Sequence, residues 1–355
     1  MSIVRRLARG LCLVGGLLVS AQPADSCPIC FGSRIRPPCF AEQIIQADRL
    51  AVARAGGHGS FVIEARLRGA HPEPGTKVMI DQPSIGSRVL LAFPDDDSLP
   101  IHLGPYSAEL TELMRLIFPL KTLEPSSESG WSKQLETFRP YLSHRDPRIS
   151  SSAWTAWALA PYRVLRRQRP LPDRDILLSW LDDPTRAGEA SLYWTLLGLQ
   201  ADRPIKARLR RTILTSWKEN DSSHLAALLD AELSASGPRA IDFIVSRYID
   251  DRDRTLDEIQ CALLALSMHA NEGDPALREP IALAFEAFVE KRRPLSGLVA
   301  LDLQKWQRWS VAKLYAEILE SGEPVYPSSR PAILSYLEGS RLGNELINRA
   351  SASER

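Results

Sequence analysis

The chain has 355 residues, with 44 Lys and Arg against 43 Asp and Glu, and an apolar fraction of 44%. That is long enough for two ordinary domains and apolar enough for a sizeable core. A formal net charge of +1 excludes a nucleic-acid binder that relies on a global basic field, so no nucleic-acid partner is expected.

Arg5, Arg6 and Arg9 precede the apolar run Leu11 to Val19 and the small residues Ser20 and Ala21. This is the order of a secretory signal, and the run is about half the ~20 residues that span hydrocarbon. Residues 1–21 are therefore expected to be a signal peptide, cleaved before Gln22, that exports the chain to a periplasmic or extracellular location. Lipid attachment at Cys27, behind the small residues Ala24 and Ser26, is the alternative; Asp25 and the distance from the apolar run count against it. No other stretch is long and apolar enough for a span after signal removal.

Next come Cys27-Pro28-Ile29-Cys30 and Cys39. Two cysteines at this spacing can close a tight disulfide, supply two thiolates to a metal, or work as a dithiol redox pair. Haem attachment needs His after the second cysteine, and Phe31 stands there. Zinc needs two further ligands, with only Cys39 and the distant His58 or Cys261 on offer, so no metal or other cofactor is expected. A redox pair needs a preceding strand in a βαβ unit, and none is predicted. The preferred role for Cys27, Cys30 and Cys39 is a structural disulfide tying the N-terminal segment to a small β module, the pairing left open. Cys261 lies among apolar helical positions and is expected to be a buried thiol.

Between Asp48 and Gly104 the segments RLAVARA, SFVIEARL, TKVMI and SRVLLAF are separated by Gly and Pro punctuation, predicting four or five short strands in a sandwich or barrel. In SFVIEARL, Phe61, Ile63, Ala65 and Leu67 alternate with Val62, Glu64, Arg66 and Arg68. After Tyr106, Leu110, Leu113, Met114 and Ile117 recur at helical spacing. PSSESG then reads as a linker, within 121–130. From Trp131 onward only helical patterns follow: Leu209, Ile213 and Trp217 on one helix, Ile281, Phe285, Phe288 and Val289 on another. SLYWTLLGL (191–199) and CALLALSM (261–268) are apolar on more than one side and need neighbours on both flanks. The phrases around YLSHRDPRISSSAW, WLDDPTRAGEASLYW and YIDDRDRTLDEIQC each place Asp at a turn before an apolar helix, where a carboxylate caps free N–H groups. Their separation suits helical repeats.

The fold class expected is thus α+β and multidomain: signal 1–21, a cysteine-containing β domain over 22–120, a linker over 121–130 and an all-α array over 131–350. The cysteine-rich start with QADRLAVA, FVIEARLRG, GTKVMI and GSRVLLAF resembles the OB-like barrel of netrin-type and tissue-inhibitor-of-metalloproteinase domains, although two residues separate the first cysteines here where the inhibitors have one. The Asp-turn phrases resemble HEAT-type repeats. The whole layout, with the LYWTLLGL helix, is similar to a class of uncharacterised exported bacterial proteins, a resemblance that implies no activity.

No catalytic residue set emerges. GxSxG, phosphate-cradling glycine loops and HExxH are absent, and Asp95 to Asp97 lack the spacing of a calcium loop. The basic stretches 163–169, 206–211 and 291–293 lie on or beside helices and are expected to be solvated faces. Trp154, Trp157, Trp180, Trp194, Trp306 and Trp309 are expected in helix packing. The function expected is an exported, non-enzymatic interaction or scaffold protein with an envelope or extracellular protein partner. The alternatives are a thiol-disulfide oxidoreductase using the CPIC pair and an inhibitor-like binder of an exported protease.

Overall fold

The computed structural model describes residues 28–31, 37–57, 59–70, 72–80, 88–93 and 99–340. The expected signal peptide, Cys27, His58, Asp95 to Asp97 and the last residues of the expected helical array lie outside them.

The described chain opens with helices α1 (Pro28–Phe31) and α2 (Phe40–Gln46) and continues into strands β1 (Arg49–Gly57), β2 (Ser60–Arg68), β3 (Lys77–Met79), β4 (Arg88–Phe93) and β5 (Ile101–Pro105). The strands form one antiparallel sheet in the order β3-β2-β1-β4-β5, curled into a half-barrel. Register shifts along β1 opposite β2 supply the local bending that such curling requires. Leu50 faces Ala92 across β1 and β4, and its neighbour Ala51 faces Leu91, so the two pairs lie on opposite faces. The first face joins the main core; the second builds a separate core of Phe61, Ile63, Val89, Leu91 and Phe93 with two small alanines. The alternation expected in β2 is present, with Phe61 and Ile63 buried and Arg66 exposed. β5 was hidden in the sequence because Gly104 and Pro105 read as punctuation. Gly104 is required there, since its φ is +102° and an added Cβ would sit 2.9 Å from an Arg148 nitrogen.

Helix α3 (Ala108–Ile117) buries Leu110, Leu113, Met114 and Ile117, the predicted stripe, and Ser107 caps it. In the segment 121–130, Leu123 is buried and its carbonyl accepts from Gln134 Nε2 at 2.6 Å. Helix α4 (Glu128–Phe138) begins within it.

The remaining helices are α5 (Pro147–Ala158), α6 (Tyr162–Arg167), α7 (Arg174–Leu181), α8 (Ala190–Gly198), α9 (Arg203–Glu219), α10 (Leu225–Ser236), α11 (Pro238–Ile244), α12 (Leu256–Glu272), α13 (Pro275–Lys291), α14 (Ala300–Lys305), α15 (Ala312–Ser321) and α16 (Ser329–Gly339). Aspartates open many of them as expected. Asp146, Asp173, Asp202 and Asp274 each accept a first-turn N–H, typically worth about 1 kcal/mol against Ala. In the third Asp-turn phrase the cap is instead Thr255, in a capping box with Glu258.

Helix α7 packs on α8 and α9 on α10, while α8, α10 and α12 touch in succession. This explains why α8 and the first three-quarters of α10 are buried all round. Helix α1 lies against α8 and α10, and α2 against α3 and α5. A single apolar cluster therefore runs from Ile29 through the sheet face to Leu337. Among the described residues no helix is long and apolar enough to cross a membrane.

Candidate functional site

A cleft of about 860 Å³ opens where the sheet meets the helices, between the start of α2, β5, the turn into α5 and the turn before α8. Arg148, on the first turn of α5, holds this seam together. Its guanidinium donates to the carbonyls of Leu103 (3.2 Å) and Pro105 (2.7 Å) on the outer edge of β5. It also grips Asp146 through two nitrogens, at 3.1 and 2.6 Å, and lies 5.4 Å from the Phe40 ring centre. The edge carbonyls of β5 are thereby occupied, which blocks strand addition at that point. Arg148 holds the Asp146 carboxyl below its ordinary range, against the opposing effect of burial.

On the far wall, Arg186 stacks on Trp180 (4.8 Å) and donates to Tyr193 Oη at 3.1 Å. Tyr193 in turn donates to the Glu189 carboxylate. Burial pushes the Glu189 carboxyl up from its ordinary 4.5, against the pull of Tyr193 and Arg186. Because the folded form is the better proton acceptor, the penalty of ionised Glu189 is present at neutral pH and fades as pH falls through the folded value towards 4.5. Wild-type protein is therefore expected to gain stability relative to Glu189→Gln between pH 7 and pH 4.5 in denaturant titrations; a pH-independent difference would refute this.

Two imidazoles complete the cleft. His144 Nδ1 accepts from the Asp146 N–H at 3.0 Å, which assigns its proton to Nε2. His102 packs against Phe61, its Nε2 is buried with no partner among the described residues, and burial followed by the Arg148 charge lowers its pKa. Arg145, with 84% of its side chain exposed, pairs with Glu109 at the rim. The cleft thus offers a mobile rim guanidinium, fixed inner charges and an orphan imidazole nitrogen. That set suits hydrogen-bonded capture of a polar polypeptide segment.

The predicted cysteine site is dispersed. Cys30 is 1% exposed on α1, against the helices and not the sheet. Cys39 lines the cleft and opens α2, its N–H donating to Glu42 at 2.8 Å. No two described cysteines are at bonding distance. The expected disulfide is therefore not formed among Cys30, Cys39 and Cys261, because α1 and α2 carry their cysteines to different helices. Cys261 is half-buried on α12, and burial pushes its thiol up to about 11. At neutral pH it is expected to alkylate at least about tenfold slower than an ordinary cysteine, as timed iodoacetamide labelling would show; an ordinary rate would contradict that placement. Among the described residues no three His, Cys, Asp or Glu side chains group as a metal site.

One polar cluster escaped sequence reading. His269 Nε2 lies 2.8 Å from Asp230 Oδ1 and 3.2 Å from Tyr162 Oη, which is 2.7 Å from Ser234 Oγ. Asp230, His269 and Tyr162 are at most 2% exposed. These partners come from α10, α12 and α6, with no shared local pattern. The basic stretches, by contrast, are laced to acids: Arg163 and Arg167 to Glu128, Arg208 to Asp182, and Lys291 to Asp250. No family model, curated protein or solved structure matches the chain.

Proposed function

We propose that this is an exported interaction protein that grips an envelope or extracellular protein in the cleft between its sheet and its helices. The cleft at this seam is the observation that carries the reading, since it joins a rim cation to a pre-ordered polar floor. An OB-like reading of the half-barrel draws support from its curled five-stranded form, and a HEAT-like reading of the helices from the succession α8, α10, α12. Both architectures commonly present binding faces. The burial of Cys30 favours a packing role over thiol exchange.

The test is site-specific photo-crosslinking in intact cells, with the crosslinker at Arg145 or Ser151 in the cleft and, as a control, at Leu283, which is 53% exposed. The expected result is one reproducible adduct from the cleft positions and none from the control. No adduct, or the same adducts from all three, would overturn the proposal. Intact-mass analysis of the recovered protein should begin at Gln22, in keeping with export.

A further inference from the structure

A second cavity, about 540 Å³, lies between the starts of α8 and α10 and one face of α12, with Ile29 of α1 at its wall. Ser191 and His224 both line it, and Ser191 Oγ is 3.1 Å from His224 Nδ1. We propose that these two residues are a nucleophile and its general base, and that the cavity accepts the acyl group of a small uncharged ester. A hydroxyl within hydrogen-bond reach of an imidazole nitrogen is the minimal geometry for such activation.

The surroundings favour this pair over the neighbouring thiol. Cys261 shares the cavity, but its thiol is pushed up to about 11 and points to the Ser222 carbonyl at 3.8 Å. It is therefore protonated at neutral pH and a poor nucleophile. Asp221 is kept ionised by the hydroxyl and N–H of Ser223 and, more weakly, by the charge of His224. The same attraction stabilises the imidazolium that forms as Ser191 gives up its proton. His224 immediately precedes α10, which opens without a side-chain cap. The partial positive charge of that helix start lies where an oxyanion would develop. Ala226, Ala227 and Leu264 make the wall apolar, and Asp257 disfavours an anionic substrate.

In the reaction, Ser191 Oγ bonds to the ester carbonyl carbon while His224 Nδ1 takes the hydroxyl proton. The carbon–alkoxy bond then breaks, and the leaving alkoxide receives that proton as alcohol. Water attacks the acyl-serine with His224 again as base, releasing the carboxylic acid and restoring Ser191, so ester and water give acid and alcohol. This site is independent of the sheet–helix cleft and departs from the non-enzymatic expectation.

The experiment treats the full mature chain with an alkyl fluorophosphonate probe and maps the adduct by peptide mass spectrometry, alongside p-nitrophenyl acetate hydrolysis. The expected result is an adduct on Ser191, a labelling rate lowered about 100-fold or more in His224→Gln, and ester turnover lost in Ser191→Ala. No adduct on Ser191 in the wild type, or equal labelling in a His224→Gln variant of unchanged melting temperature, would overturn the proposal.

Discussion

Replacing His269 with leucine is expected to destabilise the protein by about 3–5 kcal/mol, the usual consequence of stranding one member of a buried ion pair. Asp230 is fully buried and its Oδ1 is held by His269 Nε2 at 2.8 Å, while Oδ2 already lacks a partner among the described residues. Removing the imidazole leaves this carboxylate without its strongest neighbour, inside a core where α10, α12 and α6 converge. The double variant His269→Leu/Asp230→Leu is expected to recover most of the loss, because an apolar replacement of both partners removes the desolvation penalty along with the attraction. Urea unfolding of the wild type, both single variants and the double closes the cycle. A single-variant loss below about 1 kcal/mol, the scale of an exposed pair, would show that the cluster is hydrated and not buried.

The second large effect is expected at Gly198, the last residue of α8. An added Cβ would lie 2.4 Å from Ala231 Cα and 2.7 Å from Ala231 Cβ on α10. Both contacts are to backbone or a side chain with no rotamer to adjust, so α8 and α10 must move apart. Gly198→Leu is expected to lower stability by about 3 kcal/mol, the upper end for overpacking. Ala231→Gly placed behind it should return part of the loss by removing the closer methyl. Thermal melts of the two variants read this directly, and a Gly198→Leu variant as stable as wild type would contradict the close approach of the two helices.

The local patterns of this fold are legible in the residues. The β2 alternation at Phe61 and Ile63, the α3 stripe from Leu110 to Ile117 and the Asp caps at 146, 173, 202 and 274 all follow from short-range geometry. The all-round apolar stretch 191–199 likewise announced a helix covered on both flanks. What the chain conceals is long-range. Arg148 looks like one arginine in an ordinary turn, yet its partners Leu103 and Pro105 lie more than forty residues earlier. Ser191 and His224 are 33 residues apart, and Asp230 and His269 are 39 apart. No motif spacing encodes such meetings, because stacked helices bring together positions fixed by packing and loop length. The cysteines misdirected attention for a related reason: their proximity in sequence suggested one staple, whereas α1 and α2 dock on different parts of the helical region.

The central claim is that Arg148 builds the cleft by pinning β5 and the start of α2 to α5. Hydrogen–deuterium exchange on Arg148→Ala, read beside cleft photo-crosslinking from Ser151, tests it most directly. The account predicts faster exchange in Leu103 to Pro105 and at the start of α2, unchanged exchange in α10 and α12, and loss of the cleft adduct. Unchanged exchange along β5, or a cleft adduct retained in full by the variant, would contradict it.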